Sequence, residues 1–253
     1  MVDVHSHILP NIDDGPSETE TSIAIALKAE KAGFTDIICT PHFSPTDHNL
    51  EEYLKVRDAS FSMLNSEIIK NDLKIRVHKG LEVEFVPELI KLIDGFDEQS
   101  SVSKFDVFCL AGSRYILLEM SQLTYPMWAD KSLYELQLRG FIPVIAHLER
   151  YSWILREKEE VFKWAERGVV FQINAENLDF SSKRLHSKVM DFILRDSFNL
   201  VIGSDAHDNK KRDMSAIGKI FSEKYFAKYT KKAHKTTEWI ENGFKILENR
   251  VII

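Results

Sequence analysis

The chain has 253 residues, of which 44% are hydrophobic, and its formal net charge is −6. This length is normal for one α/β barrel, whereas the acidic balance argues against a nucleic-acid-binding protein, which usually carries a basic surface. No apolar run reaches the length of a membrane span, no signal peptide is recognisable at the N-terminus, and only two cysteines, Cys39 and Cys109, occur. We therefore expect a cytoplasmic protein.

Short apolar runs alternate with helical patterns along the chain. Strands are predicted at Val2–His5, Asp36–Thr40, Ile75–Glu84, Ile116–Met120, Pro143–His147, Val169–Asn174 and Leu200–Ser204. Helices are predicted at 19–32, 49–70, 87–93, 128–139, 157–166, 183–195 and 213–225, and a last helix at 230–248 lies in a C-terminal helical segment, residues 228–253.

Repeated strand–helix units favour parallel strands joined by crossover helices. An open sheet that binds a dinucleotide would often carry GxGxxG after its first strand, but the turn here reads SHILPNIDDG. The seven predicted strands therefore favour a barrel, and we expect one domain over residues 1–253.

The first predicted strand, DVHSH, contains two histidines, His5 and His7. Because side chains alternate along a strand, residues two apart point to the same side. Both imidazoles can then converge on one metal ion. The pattern indicates a metal site only if other ligands join it.

Ionisable side chains recur where later strands end. The loop after the first strand contributes Asp13 and Asp14, and later strands contribute His42 (TPH), Glu82 (KGLEVEF), Glu119 (LLEM), His147, Glu149 and Arg150 (IAHLER), and Asp205 and His207 (GSDAHD). Each alone has an ordinary explanation, such as a turn, a solvated strand end or a helix cap. At one end of a barrel, however, so many charged groups are costly without compensating cations.

Nine candidate ligands exceed the four to six positions of one ion. The chain therefore predicts two or three metal ions. Imidazole and carboxylate ligands without thiolate suit Mn, Fe or Zn, and the share of carboxylates favours Mn²⁺. The remaining histidines lie outside this pattern and are not assigned to it: His48, His78, His186 and His234.

Five segments resemble one known family when they are taken in order: DVHSHILPNIDDGPSE, DIICTPHF, GSRYILLEM, IAHLERY and VIGSDAHD. The family is the PHP (polymerase and histidinol phosphatase) superfamily, in particular its bacterial manganese-dependent protein-tyrosine phosphatases of capsule and exopolysaccharide biosynthesis. The resemblance extends from residue 1 to residue 212. It implies an α/β fold, a distorted (β/α)7 TIM-like barrel known as the PHP fold, with a trinuclear metal centre at its mouth.

The resemblance also distributes ligands among three ions. The first ion takes His5, His7, Glu82 and Asp205, the second takes His42, His147 and Glu82 as a bridge, and the third takes Asp14, Glu119 and His207, with Asp13 as the alternative to Asp14. Arg150 and Arg212 match arginines near the substrate phosphate, and together with Asp205 they are the expected catalytic residues. Lys210 or Lys211 is the alternative to Arg212.

The implied substrate is a tyrosine-phosphorylated protein, expected to be a bacterial tyrosine kinase that the enzyme regulates. A metal cluster can lower the pKa of bound water and orient the attacking and leaving oxygens. We therefore expect direct attack by a metal-bridging hydroxide, without a phosphoenzyme. A cysteine phosphatase is excluded, because the arginine needed six residues after the cysteine is replaced by Pro45 or Tyr115.

Three alternative functions remain. One is a histidinol-phosphate or other small-molecule phosphatase that uses the same centre. Another is a metal-dependent amidohydrolase, which often carries a bridging lysine on the fourth strand, where this chain has Glu119. The third is a non-catalytic metal-binding regulatory module, which would have little need for open metal positions.

Overall fold

The structure of the protein is a computed structural model that describes residues 1–96, 102–178, 184–195, 198–208 and 230–252. Its strands are β1 (Val2–Ser6), β2 (Asp36–Cys39), β3 (His42–Phe43), β4 (Arg76–Lys79), β5 (Glu82–Glu84), β6 (Tyr115–Glu119), β7 (Ile142–Ile145), β8 (Val170–Asn174) and β9 (Leu200–Gly203). Every pair of neighbouring strands is parallel. The predicted parallel α/β class is therefore confirmed.

The helices follow the predicted ranges closely. They are α1 (Thr19–Lys31), α2 (Leu50–Lys70), α3 (Glu88–Asp94), α4 (Lys104–Phe108), α5 (Ala129–Leu138), α6 (Lys158–Glu166), α7 (Arg184–Arg195) and α8 (Thr230–Leu247). The short α4 was not predicted, because five residues are too few to show helical periodicity; it begins with a capping box formed by Ser103 and Asp106. The helix predicted at 213–225 lies outside the described residues.

The prediction of one continuous strand at Ile75–Glu84 is wrong. Gly80 and Leu81 separate β4 from β5, and Thr40 and Pro41 separate β2 from β3 in the same way. The breaks divide the strands into two ladders, β1-β2-β4 and β3-β5-β6-β7-β8-β9. Proline has no N–H to donate to a ladder, and a Cβ at position 80 would lie 2.9 Å from Ile38 Cγ2. Close approach thus requires glycine there.

The sheet curls so that its first and last strands meet at their carboxyl ends. Ser6 and Ala206 form an isolated parallel bridge, the His7 N–H donates to the carbonyl of Ala206 at 3.0 Å, and the Asp205 N–H donates to the carbonyl of His5 at 2.7 Å. The ends of β1 and β9 are thereby fixed beside each other. This closure brings the GSDAHD segment next to DVHSH.

Every second side chain of a strand points to the same face of the sheet. On one such face, an apolar cluster is followed by polar residues towards the carboxyl ends of the strands. One buried cluster contains Leu117 of β6, Val170 of β8 and Ile246 of α8. Glu119 lies two residues beyond Leu117, and Asn174 lies four residues beyond Val170, so both share the face of that cluster. On this face, polar side chains therefore lie at the carboxyl ends of the strands, next to the apolar cluster.

Two further expectations concern single features of the chain. Cys39 and Cys109 are free and buried, as their apolar surroundings predict, and burial raises the pKa of both thiols. In the part of the chain that the structure describes, none of the helices combines the length and apolarity needed to span a bilayer.

Candidate metal centre

The first cluster of candidate ligands joins the ends of β1 and β9. The Nε2 atoms of His5 and His7 lie 3.1 Å apart, and Asp205 Oδ1 lies 3.7 Å from the first and 3.5 Å from the second. All of these atoms are buried, and one atom of each residue is close enough to the others to share an ion. The i, i+2 spacing of the histidines thus has the predicted geometric result, although the strand ends at Ser6 and its register shifts before that residue.

Glu82 lies between this cluster and a second one. Its Oε2 atom is 3.2 Å from His5 Nε2, 3.1 Å from His7 Nε2 and 3.1 Å from His42 Nδ1. Its other oxygen, Oε1, is 3.1 Å from His147 Nε2. Strand register contributes to this arrangement, because His42 of β3 is the direct partner of Glu82 of β5. Glu82 therefore lies between the two clusters, and its role as a bridging ligand stays a prediction.

Glu119 lies with this second cluster. Its Oε2 is 3.7 Å from His42 Nδ1, and its Oε1 is 3.3 Å from His147 Nε2. The resemblance implies a third ion for Glu119 with Asp14 and His207, and that assignment stays a prediction, while the oxygens of Glu119 lie near His42 and His147. The physical reason is that β6 is hydrogen-bonded to β5, so its carboxyl end faces the ligands of β3, β5 and β7 rather than those of β9.

A third cluster contains Asp14 and His207 together with His7 and His42. Asp14 Oδ1 is 3.1 Å from His207 Nε2 and 3.6 Å from His42 Nε2. The side chain of Asp14 is largely exposed, whereas that of His207 is mostly buried. This cluster therefore faces solvent at the mouth of the centre.

Asp13 has a different position from its neighbour. Its Oδ2 lies 2.7 Å from His7 Nδ1, on the far side of the ring from Glu82, and also accepts the N–H of His42 at 3.1 Å. Its Oδ1 accepts the N–H of Gly15 at 3.0 Å. Of the two aspartates that the sequence left open, Asp14 faces His207 and His42, whereas Asp13 contacts His7 from its outer side.

Several imidazoles have their orientation set by acceptors on the outer side of the ring. His5 Nδ1 donates to Gln172 Oε1 at 2.9 Å, and His207 Nδ1 donates to the carbonyl of Asp205 at 2.9 Å. Such contacts fix the orientation of the ring and direct Nε2 inward. Gln172 also accepts the His147 N–H at 2.6 Å and donates to Asn174 at 2.8 Å.

Asp205 is held by two donors on the oxygen that faces away from the histidines. Asn174 Nδ2 donates to Asp205 Oδ2 at 3.0 Å, and Arg150 Nη1 lies 2.6 Å from the same atom. The buried Glu149 in turn accepts the N–H of Asn174 at 2.9 Å. Sequence reasoning missed Gln172 and Asn174 as positioning residues; the signal was two amides inside the otherwise apolar strand VFQIN.

The predicted arginines are only partly described. Arg150 follows His147 in a 3₁₀ turn, Leu148–Arg150, and its side chain is 21% exposed beside Asp205. It therefore has both a fixed carboxylate partner and access from the mouth. Arg212, together with the alternatives Lys210 and Lys211, lies outside the described residues.

Two of the candidate ligands have left-handed backbones. His147 has φ 30° and Asp205 has φ 54°. A side chain with a Cβ adopts this region at a cost. In both cases the residue follows the end of a strand, and the turn directs its side chain across the mouth of the sheet.

The charges in the centre compensate one another strongly. Burial opposes protonation of His7 and His147, but neighbouring carboxylates outweigh burial and raise the pKa of each to about 10. Burial likewise opposes ionisation of Asp205, yet His5 and Arg150 lower its pKa to about 2. Burial also opposes ionisation of Glu82, whose pKa nevertheless lies well below its usual value because of the surrounding imidazoles. The carboxylates are therefore ionised, and protonated His7 and His147 balance part of their charge in the protein without ions.

The residues present fit metal ions. Although Glu82 Oε2 is buried and close to three imidazole nitrogens, it has no hydrogen-bond partner among the residues that the structure describes. An unpaired carboxylate oxygen in the interior is costly, and a shared cation satisfies it together with the nitrogens. Mixed nitrogen and oxygen donors without thiolate suit Mn, Fe or Zn.

Comparisons with known proteins extend over the whole chain. A family model described as capsular polysaccharide synthesis, CpsB/CapC, matches residues 1–248. The tyrosine-protein phosphatase YwqE of Bacillus subtilis is 32% identical over 214 residues, which cover 84% of this chain and 80% of that protein. The tyrosine-protein phosphatase CpsB of Streptococcus pneumoniae is 28% identical over 270 residues and is covered completely, as is this chain.

A solved structure gives the same match in three dimensions. It comes from crystal structures of YwqE from Bacillus subtilis and CpsB from Streptococcus pneumoniae, described as unique metal-dependent tyrosine phosphatases. Its TM-score is 0.82 at 29% sequence identity, over 100% of this chain and 96% of that chain.

Proposed function

The chain belongs to the CpsB/CapC family of capsular polysaccharide synthesis, and on this premise we propose that it is a metal-dependent phosphomonoesterase that hydrolyses phosphotyrosine on proteins. The family resemblance predicted from the sequence is thereby confirmed. Its relatives are named tyrosine-protein phosphatases, and the matching crystal structures are described as metal-dependent.

The arrangement of Glu82 is the observation that carries the proposal. Its two buried oxygens face imidazoles of two different clusters, with Oε2 directed at His5, His7 and His42 and Oε1 directed at His147. A carboxylate in this position supports two ions that share it as a bridge. Asp14 and His207 supply ligands for a third ion at the mouth.

We assign the ions as Mn²⁺, two or three in number, with Fe and Zn as alternatives. When bound, they supply Lewis acidity and lower the pKa of coordinated water. Asp205 holds its position through Asn174 and Arg150 and presents its other oxygen to His5 and His7. The guanidinium of Arg150 binds and orients the phosphate oxygens that the ions leave free. Arg212 has the same assigned role.

For the fold, we propose the distorted (β/α)7 barrel that the resemblance implies, as a single domain over residues 1–253. If β2 with β3 and β4 with β5 each count as one interrupted strand, the chain has seven strand positions among its described residues. The bridge between Ser6 and Ala206 supports closure between the first and last positions.

The proposed partner is a tyrosine-phosphorylated protein of capsule or exopolysaccharide synthesis, in particular a bacterial tyrosine kinase that the phosphatase regulates. Family membership supports this assignment. The leaving group is also chemically suitable, since a phenol with a pKa of about 10 departs more readily than a serine alkoxide. The expected cytoplasmic location stays a prediction.

The test compares substrates under controlled metal supply. The chelator-treated protein is given Mn²⁺ and assayed with a phosphotyrosyl peptide, a phosphoseryl peptide of the same sequence, and histidinol phosphate. We expect turnover to require the metal and to be fastest with the phosphotyrosyl peptide. If histidinol phosphate is the best substrate, the enzyme is a small-molecule phosphatase; if none is hydrolysed, the proposed function is wrong.

A further inference from the structure

A cavity of about 620 Å³ opens directly beside the second ligand cluster. His42 and Glu119 belong to both, because each lines the cavity as well as the cluster. Neither the candidate metal ligands nor the packing of the fold explains what this cavity does. A phosphoryl group at the cluster would therefore place whatever is esterified to it at the entrance of this space.

The walls of the cavity combine polar side chains with several aromatic ones. Phe43 and Phe85 are buried in one wall, and Trp128 stands edge-on to Phe85 with ring centroids 5.0 Å apart. Trp128 lies immediately before α5, at the end of the loop 121–128, which contributes further residues to the lining of the cavity. A further aromatic ring in the cavity can pack against Trp128 in an offset or edge-to-face arrangement.

The loop that carries Trp128 also exposes apolar side chains beside the cavity. Leu123 is 76% exposed and Met127 is 85% exposed. Neither is among the residues that line the cavity.

The charge of the cavity is negative at its mouth. Glu84 is exposed there, next to Glu119 in strand register, and accepts a hydrogen bond of 2.6 Å from Ser44 Oγ. Among the lining residues that the structure describes, none is lysine or arginine. A cationic group close to Glu84 would therefore bind more favourably than a neutral or acidic one.

We propose that this cavity binds the tyrosyl ring of the substrate against Trp128, which Phe85 supports from behind, and that Glu84 selects a cationic side chain next to the phosphotyrosine. The inference rests on the proposed function, since it takes the phosphate to lie at the metal centre. It adds a substrate class: phosphotyrosyl segments flanked by lysine or arginine. Trp128 and Glu84 are the residues that determine this specificity.

The proposed site for the tyrosyl ring is tested by measuring peptide turnover and phosphate binding separately. Trp128→Ala and Gln122→Trp are assayed for kcat/KM with a phosphotyrosyl peptide and for inhibition by inorganic phosphate, which contacts the centre but not the cavity. We expect kcat/KM to fall about tenfold in both variants, mainly through KM, with the inhibition constant of phosphate unchanged. Gln122 is exposed, so a tryptophan there narrows the cavity without removing core contacts.

Two controls separate the cavity from general damage. Trp128→Phe retains an aromatic wall and should stay within about twofold of the wild type. Tyr134→Ala removes an exposed aromatic residue of α5 that does not line the cavity and should have no effect. If the wild type hydrolyses the peptide but Trp128→Ala and Gln122→Trp both leave kcat/KM within twofold, the ring site is wrong, whereas a wild type without phosphotyrosine turnover refutes the proposed function instead.

The proposed role of Glu84 is tested with two peptides, one with lysine and one with alanine on both sides of the phosphotyrosine. We expect the wild type to prefer the lysine peptide about threefold at low ionic strength. Glu84→Gln keeps an acceptor for Ser44 and should abolish this preference. An equal preference in the wild type and Glu84→Gln would overturn the assignment of Glu84.

Discussion

Asp13 and His7 are joined through the outer nitrogen of the imidazole, with Asp13 Oδ2 only 2.7 Å from His7 Nδ1. The inner nitrogen, Nε2, faces Glu82 at 3.1 Å. A carboxylate on the outer side of a ligating histidine fixes its tautomer and raises its basicity. Asp13 and Asp14 are adjacent in the sequence, but Asp13 contacts the outer side of His7 whereas Asp14 faces His207.

This arrangement predicts different metal contents for two neighbouring variants. Asp14→Asn should bind one ion fewer than the wild type, because its carboxylate faces the third cluster. Asp13→Asn should keep the number of ions but bind them about 10- to 100-fold more weakly, because an amide donor would turn the proton of His7 towards the centre. Elemental analysis and Mn²⁺ titration measure both quantities. Loss of one ion in Asp13→Asn alone would reverse the two assignments.

Removal of a shared ligand should abolish activity without unfolding the protein. We expect Asp205→Asn and His42→Ala to reduce phosphotyrosyl-peptide turnover at least about a hundredfold, since each takes part in an ion cluster. Circular dichroism should show the fold retained. His78→Ala is the matched control, because His78 contacts Asp36 and lies outside the centre; wild-type turnover in either ligand variant would contradict the metal centre.

Arg150 should contribute to phosphate binding rather than to metal binding. Arg150→Lys replaces a guanidinium fork with a single ammonium, so kcat/KM for the phosphotyrosyl peptide should fall at least about tenfold while the metal content stays constant. Arg156→Lys, an exposed change six residues later, is the control. If Arg150→Lys loses metal, the arginine acts mainly by holding Asp205.

Metal binding should release protons at neutral pH. In the protein without ions, the pKa values of His7 and His147 are raised to about 10, so both rings are protonated at pH 7. Ions must displace these protons, and apparent affinity should therefore fall as the pH is lowered. Calorimetric titration of Mn²⁺ in two buffers of different ionisation enthalpy measures the release. A heat that is independent of the buffer would contradict this prediction.

The ionised carboxylate of Asp36 should stabilise the folded protein at all but acidic pH. The carboxylate is buried at the start of β2, and although burial opposes ionisation, Arg76 and His78 lower its pKa to about 2. The stabilisation is present above the unfolded pKa of about 4 and is lost as the pH falls towards 2.

Urea unfolding of the chelator-treated protein tests this dependence without interference from metal loss. We expect Asp36→Asn to reduce the free energy of unfolding by about 2 kcal/mol at pH 7 and to flatten its decline between pH 5 and pH 2. The exposed Asp72→Asn change is the control. An identical pH dependence in the wild type and Asp36→Asn would show that this group does not contribute.

The sequence predicts which side chains gather at the carboxyl ends of the strands better than how they are arranged there, and their role as metal ligands stays a prediction. His5, His7, Glu82 and Asp205 could be predicted because parallel strands end at one edge, where alternation fixes which side chains share a face. The grouping of Glu119 could not, since it depends on which strands are neighbours in the sheet. The break at Gly80 and the amides of β8 likewise follow from close packing between distant segments, which a local pattern does not encode.

The left-handed backbones of His147 and Asp205 lower the stability of the fold, whereas their side chains contribute to the proposed activity. Glycine at either position would relieve roughly 1–2 kcal/mol of backbone strain, but it would also delete a side chain of the metal centre. A library screened only for the melting temperature of the chelator-treated protein should therefore enrich glycine at these two positions and lose activity. Stabilisation of this enzyme by directed evolution needs a selection that monitors catalysis as well.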